Sequence, residues 1–266
     1  SVVRREGEVE LALRLVTLSD GDADWTQTFH LPEEAFLDAL DETTWAVARA
    51  MGAHVGEGPR ARLVPDHTSS FPAYMDFLRG EHAARRGTRE ALGSAIEAYH
   101  RALLLDPDFS SAWAALATAY VLLPQAGGPP IKNVLPYVQA ALDRAMAPGR
   151  ETAAGYAASA YLKWAYLWDL PAADADFQRA IEMDPDNPLS RAWRAQLLAT
   201  GRRWEEALAE ANRAVDLDPR SPSAHLTRGL VLMSAGSEDA VAAFQRALEL
   251  APDIHPAAYV LGGLLA

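Results

Sequence analysis

One element of this sequence returns at a fixed distance. Ala173, Phe177, Ala180 and Pro185 recur 34 residues later as Ala207, Ala211, Ala214 and Pro219. Ala95, Tyr99, Ala102 and Pro107 carry the same spacing earlier, and Ala240, Phe244, Ala247 and Pro252 carry it later. Small residues in one row let two helix backbones approach. The closing proline disfavours helical geometry for the residue before it and ends the helix. A period of this length means helical hairpins that cannot bury their apolar faces alone and stack on their neighbours. The expected fold is mainly α, a right-handed α-α solenoid.

Taken in order, the chain divides into a segment at 1–52, a linker at 53–71 and an array at 72–266. The array holds motifs at about 72–107, 108–150, 153–185, 187–219 and 221–252, then a final helix at 253–266. The insertion QAGGPPIKN stretches the second motif, which explains why Pro107 and Pro185 stand 78 residues apart. In the first segment, Val9 to Val16 and Trp25 to Phe29 flank a turn-like SDGDAD and predict a β-hairpin. A helix is expected from Pro32 to near Gly52, with proline and two glutamates suiting its first turn. So small a unit is not stable alone. It must pack on the array, on upstream sequence, or on a second copy through an open sheet edge, giving a homodimer.

Charge and motif content exclude several functions. A net charge of −12 and a pI near 5.0 disfavour nucleic acid and anionic membrane surfaces as partners. The chain has no cysteine, so disulfides and thiolate chemistry are out. Asp20, Asp22 and Asp24 have the alternate spacing of a calcium loop, but its sixth and twelfth positions hold Trp25 and Leu31 instead of Gly and Glu. The seven histidines are scattered, and no phosphate loop or nucleophile elbow occurs. The carboxylates of EEALAE and its counterparts read as a solvated helix face. No metal, cofactor or enzymatic activity is expected. The most apolar stretch, Ala153 to Ala175, is interrupted by Lys163, Asp169 and Pro171, so a cytoplasmic location without a membrane span is expected.

The AxxxFxxAxxxxP elements resemble the tetratricopeptide repeat family over roughly residues 72–266. The order of ELALRLVTLSDGDADWTQTF, a helix and the array is similar to the arm of bacterial regulators that joins a TolB-like domain to such repeats. That resemblance implies an effector upstream, such as a winged helix, a nucleotide cyclase or a kinase.

Repeat phase places Thr118, Val121, Leu162, Tyr166, Trp193, Gln196, Leu226, Leu230 and Met233 on the inner face. Relatives that grip acidic chaperone tails use Lys, Asn and Arg there, so the carboxylate clamp is absent. An apolar groove suits an amphipathic helix or an extended apolar segment of a protein partner. The competing expectation is that the N-terminal segment or the next turn of the superhelix buries these side chains. Two functions follow as expectations: a non-catalytic protein-interaction scaffold, or a sensor arm controlling an effector domain in cis.

Overall fold

In a computed structural model the described residues are 2–5, 8–16, 23–32 and 68–251, with single positions between 35 and 50. The acidic turn at 19–22, most of the helix expected after Pro32, the linker at 53–67 and the final helix from 253 lie outside them. The chain divides into two compact units, Ser1–His82 with Glu97–Phe109, and Ala83–Ile96 with Ser110–Ala266.

The N-terminal element contains the hairpin that alternation predicted, extended by one further strand into a three-stranded antiparallel meander. Its strands are β1 (Val2–Arg5), β2 (Glu8–Val16) and β3 (Ala23–Pro32), in that order. The extra strand pairs Val2 with Leu11 and Val3 with Glu10. Across β2 and β3, Val9 faces Leu31, Leu11 faces Phe29 and Leu13 faces Gln27. This period-two pattern gives the sheet one apolar face. That face is covered by helix α1 (Phe71–Ala84), because Val9, Leu11 and Phe71 form a buried cluster flanked by Leu13, Phe29, Leu31 and Met75.

Helix α1 pairs with α2 (Arg89–Leu105) as hairpin 1. Gly80 sits against the Tyr99 ring, where an added Cβ would come within 2.3 Å of it. The Tyr99 hydroxyl donates to Glu81 at 2.7 Å. Phe77 packs tilted on Phe109, 5.0 Å between centroids.

Hairpin 2 is α3 (Ser110–Leu122) with α4 (Ile131–Ala145). Its insertion is shorter than the sequence suggests, since Ile131, Lys132 and Asn133 already belong to α4. Pro136 sits inside that helix and removes one backbone donor. Hairpin 3 is α5 (Ala153–Leu162), a π-helical turn (Lys163–Leu167) and α6 (Leu170–Met183). Hairpin 4 is α7 (Pro188–Thr200) with α8 (Trp204–Leu217), and hairpin 5 is α9 (Pro222–Ser234) with α10 (Ala240–Leu250).

The first helix of each hairpin is here termed A and the second B. Polar side chains start several of them: Thr152 accepts from the Gly155 N–H, Asp169 from Ala172, Asn187 from Leu189 and Ser190, and Ser221 from Ala224. Each satisfies donors that the first helical turn leaves unpaired. The proline turns predicted after α6 and α8 repeat one geometry, with Asp184 and Asp218 both at φ −137° and ψ 84°. Ala173, Phe177, Ala180, Ala207, Ala211, Ala214, Ala240, Phe244 and Ala247 are all buried, as their recurrence demanded.

Candidate functional site

The residues expected to line a groove fall into two layers. Val121, Leu162 and Trp193 are buried, at 0%, 5% and 7% exposure. Thr118, Tyr166, Gln196, Leu226, Leu230 and Met233 are half-buried. Successive A helices are stitched through this band. The Tyr166 hydroxyl donates to the Val121 carbonyl at 2.8 Å, near the end of α3 where helical carbonyls lack intrahelical partners. The Trp164 Nε1–H donates to Thr200 Oγ1 at 3.1 Å, and Gln196 Nε2 donates to Thr227 Oγ1 at 3.0 Å. Trp193 packs on Tyr161 at 4.7 Å, and Tyr161 meets Trp164 edge-on at 5.5 Å. Leu226, Leu230 and Met233 lie against the buried cluster of Leu232, Ala240, Ala243, Phe244 and Ala247.

Burial, reinforced by the neighbouring Tyr166, pushes the Tyr161 hydroxyl up to about 12, although Gln125 hydrogen-bonds to it and opposes the rise. Burial also raises Tyr166, again against a bond from Gln125. Both hydroxyls are therefore neutral donors at any physiological pH. Gln125 lies in the insertion of hairpin 2, so that loop leans on the aromatic side chains of hairpin 3.

The carboxylates read from sequence as a solvated face are in part an ion-pair network. Arg194 donates from Nε to Asp174 at 2.8 Å and from Nη1 to Glu210 at 2.7 Å. Arg191 bonds Glu210 at 2.8 Å and donates twice to the Pro185 carbonyl. Arg203 reaches Asp174 at 2.6 Å and grips Glu206 through two nitrogens. The side chains of Arg191, Arg194, Asp174 and Glu210 are only 13–16% exposed. A second group joins Lys163 and the Ser159 hydroxyl to Asp176. The missed signal was Arg191 and Arg194 three residues apart on an A helix, which places both beside the acids of the flanking B helices.

A cleft of about 450 Å³ opens between hairpins 3 and 4. Leu170, Pro171, Ala175, Leu197, Leu198 and Gly201 line it, with Asp174, Gln178 and Arg203 as its polar members. The tips beside it have unusual backbones. Trp168 and Arg202 stand at φ 56° and 59°, a left-handed conformation that Gly87 and Gly236 supply at the tips of hairpins 1 and 5. Trp168 is 72% exposed and Leu167 52%.

Among the described residues, no group of three or more His, Asp or Glu side chains could hold a metal ion, and no helix is long and apolar enough to cross a membrane. No protein-family model and no curated protein matches the sequence. Solved structures do match. The chain is similar to TTC0263, a tetratricopeptide repeat protein of Thermus thermophilus, at 18% identity and a TM-score of 0.59, covering 73% of this chain and 98% of that one. It is also similar to PilW, a type IV pilus biogenesis factor, at 19% identity and a TM-score of 0.51, covering 68% and 79%. The helical array thus has the tetratricopeptide repeat fold.

Proposed function

We propose that this chain is a non-catalytic interaction module that offers the face of its A helices to a peptide or helix of a partner protein. The observation that carries this reading is the half-buried band of Tyr166, Gln196, Leu226, Leu230 and Met233. Beneath it Val121, Leu162 and Trp193 are buried. An apolar band with few hydrogen-bonding groups suits the apolar face of an amphipathic helix, which presents anchors at successive helical turns. Val121, Leu162 and Trp193 then shape the band without touching the partner.

A photo-crosslinker placed at position 230 identifies the partner, and titration of the purified pair then measures it. Leu230→Asp, with its helical signal and melting temperature retained, is expected to weaken binding at least tenfold. A folded Leu230→Asp protein that binds as tightly as the parent would sink the reading.

A second reading draws on the N-terminal sheet. Val9 and Leu11 share a core with Phe71 of α1, so the sheet and the first helix form one packed body. This suits an arm of a TolB-like regulator that controls an effector domain in cis. Coding sequence upstream of Ser1 without any effector domain would remove it.

A further inference from the structure

We propose that the adjacent tips of hairpins 3 and 4 form a second binding surface, separate from the A-helix face, for an extended peptide carrying an apolar anchor beside a carboxylate. Two bonds hold the tips together: Trp164 to Thr200, and Arg203 to Asp174. The cleft between them has a floor of Leu197 and Leu198, both buried, and walls of Leu170 and Pro171. It can take one apolar side chain with its flanking backbone. Gln178 is exposed on its rim and makes no side-chain hydrogen bond among the described residues, leaving an amide for a peptide backbone.

The charge at this edge selects the partner. Arg202 is exposed and has no ion-pair partner among the described residues. The acids around it are engaged: Asp169 caps α6, and Asp174 and Glu206 bind Arg203. Glu205 makes no ion pair among the described residues, at the start of α8 where the helix dipole favours an anion. Arg202 is therefore the available cation, and a carboxylate is its complement.

The side chains at these tips are costly to keep. Hairpins 1 and 5 use glycine where the chain turns left-handed, whereas hairpins 3 and 4 hold Trp168 and Arg202. Neither is needed to fold the turn, since glycine adopts this conformation more readily. Strained residues of this kind concentrate at binding sites. Arg202 stands between the cleft residues Gly201 and Arg203, and Trp168 stands two residues before Leu170, so both tips adjoin the cleft.

The test uses the whole chain against an array of short peptides that pair a Leu or Phe anchor with Asp, Asn or Lys. The Asp peptides are expected to bind best. Trp168→Gly and Arg202→Gly each lower that binding about tenfold, with melting temperature unchanged or higher, because both relieve the left-handed backbone. Arg202→Glu shifts the preference to Lys peptides. Leu230→Asp leaves the binding intact, which separates this surface from the A-helix face. An array with no preference for Asp, or Asp-peptide binding that survives both glycine variants, would overturn the proposal.

Discussion

Hairpins 4 and 5 share a backbone and differ in what fastens it. In hairpin 4, Arg194 lies between Asp174 of the preceding B helix and Glu210 of its own. One repeat later Arg228 occupies the same position, but the counterparts of the two acids are Leu208 and Ala243. The Nε of Arg228 is buried without a hydrogen-bond partner among the described residues. The carbonyl of the proline turn is held in both, by Arg191 in one and by His225 Nε2 at 3.0 Å in the other. The helix crossing is inverted in size. Ala195 packs near Ala211 in hairpin 4, while Gly229 lies under the Phe244 ring in hairpin 5. A repeat fold thus conserves backbone geometry and leaves open whether charge or an aromatic ring secures each joint.

The largest expected effect comes from Arg194→Met, which takes from Asp174 and Glu210 one of the two arginines that each holds. Losing two hydrogen bonds to charged groups, with Arg203 and Arg191 still in place, costs roughly 3 kcal/mol, read as a lower urea midpoint. Arg228→Met should do the opposite and stabilise by up to about 1 kcal/mol, since it deletes an unsatisfied buried donor. Equal losses at both positions would erase the contrast.

Gly229→Ala comes next. An added Cβ would lie 2.7 Å from the Phe244 ring, and overpacking of this kind costs about 1–3 kcal/mol. Ala195→Gly in hairpin 4 should cost about 1 kcal/mol through chain entropy alone. In the double variant Gly229→Ala with Phe244→Ala the clash term should vanish, which a mutant cycle would measure.

Helix caps give a smaller difference. Asn187 accepts two backbone N–H bonds and Ser221 accepts one. Asn187→Ala should therefore lose about 1 kcal/mol and Ser221→Ala somewhat less, compared by thermal melting.

The shallowest effect is that of acid. Burial pushes the Asp174 carboxyl up, but the bonds and charges of Arg203 and Arg194 outweigh it and hold the group below its ordinary range. The bond from Arg203 likewise lowers Glu206. A carboxyl depressed by folding adds stability above its unfolded pKa, near 4, and that stability fades as pH falls through the folded value. Hydrogen exchange followed from neutral pH into acid should show α6–α8 loosening before hairpin 5.

The sequence made the hairpins legible because their small residues and prolines act through short contacts at a fixed period. Ala207, Ala211 and Ala214 could be assigned to the core from spacing alone. The ion network escaped because it depends on which B helix lies beside Arg194, a relation between repeats that periodicity does not encode. Trp193 shows the same limit within the candidate site. Its repeat position points inward, yet its ring is taken up by Tyr161 of the previous hairpin. The third strand escaped for a different reason: Val2 and Val3 are too short a run to register against the arginines that follow.

The π-helical turn at Lys163–Leu167 has a consequence for how the array tolerates change in length. From cap to cap, helix A of hairpin 3 is two residues longer than those of hairpins 4 and 5, Thr152 to Trp168 against Asn187 to Gly201 and Ser221 to Ala235. A wide turn takes up extra backbone locally. The interval that spans it, Thr152 to Asn187, is 35 residues, against 34 from Asn187 to Ser221. The turn works as an expansion joint: length gained in one helix is discharged at its end, before helix B begins.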